Sequence, residues 1–394
     1  MRGEGKLAGI RVLDLSLFLP GPHLTMMMAD HGADVVKVEP PGAGEPVRDV
    51  GYRAGGESVW FRNTHRGKRS AQLDLKSDAG REALLKLAER ADVFVEAFRP
   101  GVVSRLGIDY GAVAARNPRI VYASIAAFGQ TGPLRDVPAH DIAIEAHAGV
   151  VSLNLDADDT PVNPHMPVAD MAGSLVGLAG ILMALLRRET TGEGDYVDVS
   201  MQDATMSWLP NVTGPVFAED RAPVVPHERS FGGNAFFRPY ATKDGRHVVL
   251  GGVEPKFVRN LLNALDRPDL IELATSGPGP HQDPVRAFLT EAFATRTREE
   301  WVEWFEGRDV CFAPVLDLHE AFHAPQVAAR EMLVRDEAGN PHIGVPIKFA
   351  REPGRLDPTL PALGEHTADA LRDAGCDEET IEAATARPTP APRA

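Results

Sequence analysis

The sequence predicts an α/β protein with two parts: a large Rossmann-like domain on a mostly parallel sheet, and a smaller α+β domain. Three observations predict it. Apolar runs of strand length alternate with stretches of helical length through the N-terminal half. These runs read as strands buried on both faces, which is the mark of a parallel sheet covered by helices. A Pro-rich stretch from Leu209 to Gly232 then interrupts the rhythm, and the elements beyond it differ in kind.

Taken in order, Gly9 to Leu15 reads as the first strand, Pro20-Gly21-Pro22 as a turn and the residues up to Asp30 as a helix. Asp34 to Val38 is the second strand and Ser70 to Leu75 the third. The segment from Gly80 to Ala91 has the spacing of an amphipathic helix. Val93 to Val95 and Ile120 to Ile125 continue the strands, separated by the loop Arg99-Pro100-Gly101. Met171 to Leu186 is the longest apolar run, and its sixteen residues fall short of the about 20 that span a bilayer. A core helix is the better reading, with Asp170 as its N-cap, Arg187 and Arg188 in the last turn and Gly192 beyond. Gly173, Gly177 and Gly180 allow another backbone or a ligand to come close.

After the strand Tyr196 to Val199, residues 209–232 with Pro210, Pro215, Pro223 and Pro226 read as an extended linker. Tyr240 to Leu250 predicts a hairpin around Lys243-Asp244-Gly245, followed by helices over Lys256 to Leu265 and Pro284 to Phe305. The tail from Arg387 to Pro392 reads as a frayed end. The expected organisation is a large domain over 1–208, a linker over 209–232, a small α+β domain over 233–324, and a C-terminal segment over 325–394.

Composition excludes several classes. The 394 residues carry a formal charge of −15, which disfavours nucleic acid as a partner and requires any anionic ligand to find a local cationic patch. Two cysteines, Cys311 and Cys376, are too few for a disulfide framework, so a reducing cytoplasm is the expectation. The opening residues Met1 to Lys6 lack the apolar core of a signal peptide, and no membrane association is expected.

Three ionisable residues stand where elements end: His140 after a turn-rich run, Asp170 before the long helix and Glu254 after the strand His247 to Val253. Loops on a rigid scaffold usually present chemistry at such places. The cations Arg62, His65, Arg66, Lys68 and Arg69 cluster before a strand, and Arg99 and Arg105 flank Pro100-Gly101; phosphate binding and a solvated loop both account for such a patch. Neither a Walker loop nor Gly-x-Gly-x-x-Gly after a strand occurs. His319-Glu320-Ala321-Phe322-His323 fits the zinc pattern H-E-x-x-H, but Pro325 should end the helix there.

In several of these segments and others, the chain resembles the family III CoA-transferase and α-methylacyl-CoA racemase superfamily, the CaiB/BaiF family. The matching segments are Gly9 to Leu15 with Pro20-Gly21-Pro22, Gly32 to Glu39, Arg66 to Ser70 running into Leu73 to Lys76, and Phe98 to Gly101. They continue with Phe128 to Pro133, Asp170 before its small-residue helix, Ala313 to Val315 and Leu363 to Thr367. The resemblance implies an interlocked homodimer in which the C-terminal tail returns to the large domain and the small domain of one subunit approaches the site. It also implies a CoA thioester as substrate, with no cofactor bound permanently. The CoA contacts it implies are Arg66, Lys68, Arg69, Leu75, Lys76, Ala97, Phe98, Arg99 and Arg105.

Two chemistries share this resemblance. In the transferases the residue matching Asp170 is a nucleophile that becomes a mixed anhydride and then an aspartyl-CoA thioester; in the racemases it is a base. His140-Asp141 and Val253-Glu254-Pro255 are similar to the racemase segments, with Glu254 supporting the histidine. Ser200 to Ala204, Ile343 to Phe349 and Arg330-Glu331 lean toward the transferases. The favoured expectation is α-proton transfer on a 2-methylacyl-CoA by His140 and Asp170 without a metal, and CoA transfer through Asp170 is the alternative. Backbone N–H groups at the start of the long helix are expected to meet the enolate oxygen. Phe18, Met26, Met27, Met28 and Met166 are candidates for the acyl wall.

Overall fold

The computed structural model describes residues 4–156 and 158–385; the tail Arg387 to Pro392, expected as a frayed end, lies outside them. Two compact units result: Met1–Gly149 with Pro164–Trp208 and Pro325–Ala394, and Val150–Asn163 with Leu209–Ala324.

The first unit holds a six-stranded sheet. Its strands are β1 (Arg11–Asp14), β2 (Asp34–Glu39), β3 (Arg69–Gln72), β4 (Val93–Glu96), β5 (Val121–Ala126) and β6 (Asp195–Ser200). They lie in the spatial order β3-β2-β1-β4-β5-β6, and every pairing is parallel. β1 therefore lies between β2 and β4, where the winding reverses, and ligands of such sheets bind in the crevice at the carboxyl ends there.

Strand residues alternate between two cores, as side chains on successive positions must. Leu13, Val36, Phe94 and Tyr122 face a cluster with helix α2 (Asp78–Ala88) and the C-terminal residues Ala370, Leu371 and Ile381. Val12, Val35, Val93, Val95, Val121 and Ala123 face the other cluster, with Leu24 and Met28 of helix α1 (Pro20–Asp30) and Ile181 and Leu185 of the long apolar helix. That long helix runs from Val168 to Thr191 and by length and composition could cross a membrane. Within the unit it packs closely on α1 and on the sheet: a Cβ on Gly177 would come within 2.9 Å of Leu24 of α1, and one on Gly180 within 2.8 Å of Val197 of β6. Only one face is buried; Leu182, Met183 and Leu186 are exposed, so the expected core helix is half a core helix.

The second unit carries a three-stranded antiparallel sheet of Phe312–Pro314, His247–Gly251 and Phe237–Ala241. Its core gathers Tyr240, Leu250, Leu261, Phe293 and Trp301. The expected single helix 284–305 is two, Asp283–Phe293 and Arg298–Phe305, and the break is set by a capping box between Thr297 and Glu300. The stretch 209–232 is not simply extended: Pro215 suits the first turn of a helix, and Gly214–Glu219 forms one.

At the carboxyl end of β1 the first unit buries a set of charges. The Asp14 carboxylate accepts from Lys68 Nζ at 2.9 Å and Thr25 Oγ1 at 2.6 Å, and Lys37 Nζ lies 3.9 Å away. Lys37 also pairs with Glu45 at 2.9 Å. Burial alone would raise the Asp14 pKa, but Lys37 and Lys68 outweigh it and hold the carboxyl well below its usual range.

Asp14→Asn should therefore cost about 3–5 kcal/mol in urea unfolding, because the buried Lys68 ammonium loses its carboxylate partner and Lys37 loses one of two. Since folding depresses this pKa, the contribution is complete above the ordinary value of 3.8 and is lost as the pH falls below it. The wild-type advantage over the asparagine variant should shrink in acid; a constant difference between pH 7 and pH 3 would contradict the assignment.

Candidate active site

The loops after β1, β4 and β5 surround a cavity of about 510 Å³ at the point where the winding reverses. Leu17, Phe18 and Pro20 follow β1; Ala97, Arg99 and Pro100 follow β4; Ala126 and Ala127 close β5. Arg135, His140 and Asp170 complete its polar lining. Two of the three candidate catalytic residues, 30 positions apart in sequence, thus share one cavity.

Their closeness has a local cause. His140 is the N-cap of helix α3 (Asp141–His147), in extended backbone conformation. Asp170 is not the N-cap of its helix, here α4 (Val168–Thr191): Pro167 takes that position and leaves Asp170 in the first turn. The Asp170 N–H donates to Asp141 Oδ1 at 3.0 Å, and the Val168 N–H donates to Glu145 Oε1 at 3.0 Å. One turn of α3 thereby caps α4 with two carboxylates, and Asp141 ties the backbone of Asp170 to the residue next to His140. Two N–H groups of the first turn are therefore already occupied.

Electrostatics follow from the same packing. Burial, with a smaller contribution from the Asp141 charge, pushes the Asp170 carboxyl up to about 7. Glu145 is pushed up as well, by burial and then by its hydrogen bond with Asp141. Among the described residues no side chain donates a hydrogen bond to the Asp170 carboxylate. The His140 ring stands edge-on to Phe18, with centroids 6.1 Å apart and an interplanar angle of 87°.

A second, mainly apolar cavity of about 470 Å³ runs along the carboxyl ends of β1, β2 and β3 and shares Leu17 with the first. Leu75, Lys76 and Phe98 line it, with Leu73, Val102 and Leu106; Arg105, on the same short helix as Val102 and Leu106, is exposed. The other three expected phosphate contacts are committed elsewhere. Arg66 is 1% exposed and forks onto Asp30 at 3.0 and 2.7 Å, with a further bond to the Ile343 carbonyl. Lys68 is buried against Asp14, and Arg69 pairs with Asp34 and Asp373. Arg62 and His65 are buried too. Adjacent in sequence, these cations are dispersed in space: each side chain meets its own carboxylate or carbonyl, or stacks, as His65 does on Phe61.

Glu254 belongs to the second unit, where it is exposed at the N-cap of the helix Pro255–Ala264. In the zinc-like motif Glu320 is held by Arg298 and Arg246 and caps its own five-residue helix, Leu318–Phe322. Among the described residues no group of three His, Cys, Asp or Glu side chains is placed to hold a metal ion. Of the candidate acyl-wall residues only Phe18 lines the cavity; Met26, Met27 and Met28 are core and Met166 is exposed. Glu145 is not among the sequence candidates, and Asp141 enters there only as the neighbour of His140, although their spacing of four on a helix is a readable sign that both face one way.

A family model described as CoA-transferase family III matches residues 7–367. The chain is 34% identical to an acetyl-CoA:oxalate CoA-transferase of Acetobacter aceti, over 94% of this chain and 95% of that one. It is 32% identical to the alpha-methylacyl-CoA racemase of Mus musculus, over 95% of each. The crystal structure of a CAIB/BAIF family protein from Brucella suis superposes with a TM-score of 0.80 at 28% identity, covering 94% of this chain and all of the other.

The raised Asp170 pKa makes a signed prediction for Asp170→Asn. Below pH 3.8 the aspartate is protonated in both states and costs nothing. Between that value and about 7 the unfolded chain gives up the proton that the folded one keeps, so wild-type stability falls as pH rises. Asparagine escapes this penalty; thermal unfolding should find the variant a few degrees more stable at pH 8 and equal at pH 4. Equal melting temperatures at both would show that Asp170 is not desolvated.

Proposed function

The chain belongs to CoA-transferase family III and is an enzyme of acyl-CoA chemistry, and from that premise we propose that it transfers the α-proton of a 2-methylacyl-CoA thioester, inverting the carbon beside the carbonyl. The observation that carries this reading is the pair His140 and Asp170 on one cavity, with Asp170 pushed up to about 7. Inversion needs a base on one face of the carbon and an acid on the other, and a carboxyl titrating near neutrality serves in either direction. General acid–base help of this kind contributes ~10²–10⁴-fold.

CoA is assigned to the carboxyl ends of the strands, with Leu75, Lys76 and Phe98 along one cavity and Ala97 and Arg99 along the next. Lys76, Arg99 and Arg105 are exposed and make no side-chain ion pair with a described residue, so they replace Arg66, Lys68 and Arg69 as the cations for its phosphates. Glu254 is assigned to orient His140 and fix its tautomer. The reading includes a cytoplasmic homodimer, interlocked as the resemblance implies, and no resident cofactor, since CoA arrives as part of the substrate.

A second reading, CoA transfer, is favoured by the absence, among the described residues, of a side chain donating a hydrogen bond to the Asp170 carboxylate. Its oxygen can attack the thioester carbonyl, forming a mixed anhydride and releasing CoA thiolate. The thiolate then attacks the aspartyl carbonyl, giving aspartyl-CoA and the free acid.

Incubation with a 2-methylacyl-CoA in deuterated water separates the two. Deuterium should enter the α-carbon without exchange of the thioester onto added carboxylates. His140→Ala and Asp170→Asn should each reduce incorporation by at least ~10²-fold, and Glu254→Gln should reduce it partially. Thioester exchange that survives in His140→Ala, with a hydroxylamine-sensitive adduct on Asp170, would establish the transferase instead.

Binding tests the CoA assignment separately. Lys76→Gln with Arg99→Gln should weaken CoA thioesters by ~10-fold or more, each charged hydrogen bond being worth about 1.5–3 kcal/mol, while leaving the matching pantetheine thioester nearly unaffected. Equal losses for both ligands would refute it.

A further inference from the structure

Phe18 has a φ of 64°, in the left-handed region that bulky side chains rarely enter. Residues kept in such conformations persist only where their surroundings over-determine them, and they gather at functional sites. Here the surroundings are identifiable. The Phe18 N–H donates to Glu45 Oε1 at 2.9 Å. Glu45 is 1% exposed, and its other oxygen lies 2.9 Å from Lys37 Nζ. Lys37, equally buried, also donates to the carbonyl of Ser16. One buried ion pair therefore grips the turn on both sides, at the carbonyl of residue 16 and the N–H of residue 18.

The ring that this grip aims is 38% exposed, lines the cavity and stands edge-on to His140. His140 itself is an exposed N-cap whose side chain makes no capping bond. Among the described residues its imidazole has no hydrogen-bond partner, and the aromatic ring beside it is that of Phe18.

We propose that the Lys37–Glu45 pair, acting through the left-handed Phe18, is a positioning device that fixes the imidazole of His140 at the cavity. The strain at Phe18 is the means: an ordinary conformation at residue 18 would turn the ring away from the histidine. The inference rests on the reading of His140 as a proton-transfer group, and its consequence lies in turnover rather than in substrate binding.

The test uses Phe18→Gly and Phe18→Leu in the full-length chain. Glycine adopts this φ without strain, so the fold should hold. In Phe18→Gly, kcat for α-deuterium exchange should fall ~10-fold or more, as expected when a proton-transfer group loses its alignment, with KM changed less than ~3-fold. Leucine should fall between glycine and wild type. Carbon-13 relaxation of the His140 ring, assigned by its loss in His140→Ala, should show a more mobile ring in both variants. As a check on the grip, Glu45→Gln, whose amide oxygen still accepts the Phe18 N–H, should retain more activity than Glu45→Ala. A ring equally ordered in Phe18→Gly, or a loss confined to KM, would overturn the inference. If His140→Ala still exchanges the α-proton, the proposed function fails, whereas ring relaxation still decides whether Phe18 holds His140.

Discussion

The carboxylate of Asp14, buried at the carboxyl end of the central strand, is the constraint on which the site depends. A crevice at the point where a parallel sheet reverses its winding is bounded by loops, and loops need something to hold them. Here Asp14 collects Lys68, Lys37, Thr25 and Ser16, which brings the start of β3, the middle of β2 and the first helix to one point. Such a set of charges adds little net stability compared with an apolar core of equal volume, but any member left without its partner is costly. The arrangement therefore favours one geometry over its neighbours more than it deepens the fold.

The same logic operates in reverse across the cavity. At Asp14 burial is overcome by two cations, and the carboxylate stays charged. At Asp170 no cation offsets burial, and the charge that acts on it is another carboxylate, Asp141, so the pKa moves up toward neutrality. Two aspartates in one unit are thus driven to opposite ends of the carboxylate range by what stands within a few ångströms of each. One is suited to holding structure and the other to exchanging a proton or attacking an acyl group.

Charge placement also decides where an acidic chain offers cations to an anionic ligand. The formal charge of −15 is spread over the molecule, while Arg99 and Arg135 line the cavity itself. Many of the remaining arginines are spent on carboxylates inside the fold, as Arg66 is on Asp30 and Arg48 on Glu39. Which cations remain for a ligand is decided by these pairings and not by their density along the chain.

That difference marks what could be read from the sequence alone. The strand rhythm determined the parallel sheet, because burial on both faces leaves a composition that needs no partner to be recognised. The family segments and the His140-Asp141 pair were equally legible, being local. Nothing in the linear run at 66–69 announces the ion pairs of Arg66, Lys68 and Arg69 with Asp30, Asp14 and Asp34, because they join residues 35 to 54 positions apart. Asp170 has a side chain suited to capping, but the carboxylates that meet the first N–H groups of its helix, those of Asp141 and Glu145, come from another helix. The sequence by itself determined which elements form and which residue types carry the chemistry. Only the tertiary structure decided which charges are free, which are buried and which N–H groups are already satisfied, because desolvation and pairing act through space between segments that the chain order keeps apart.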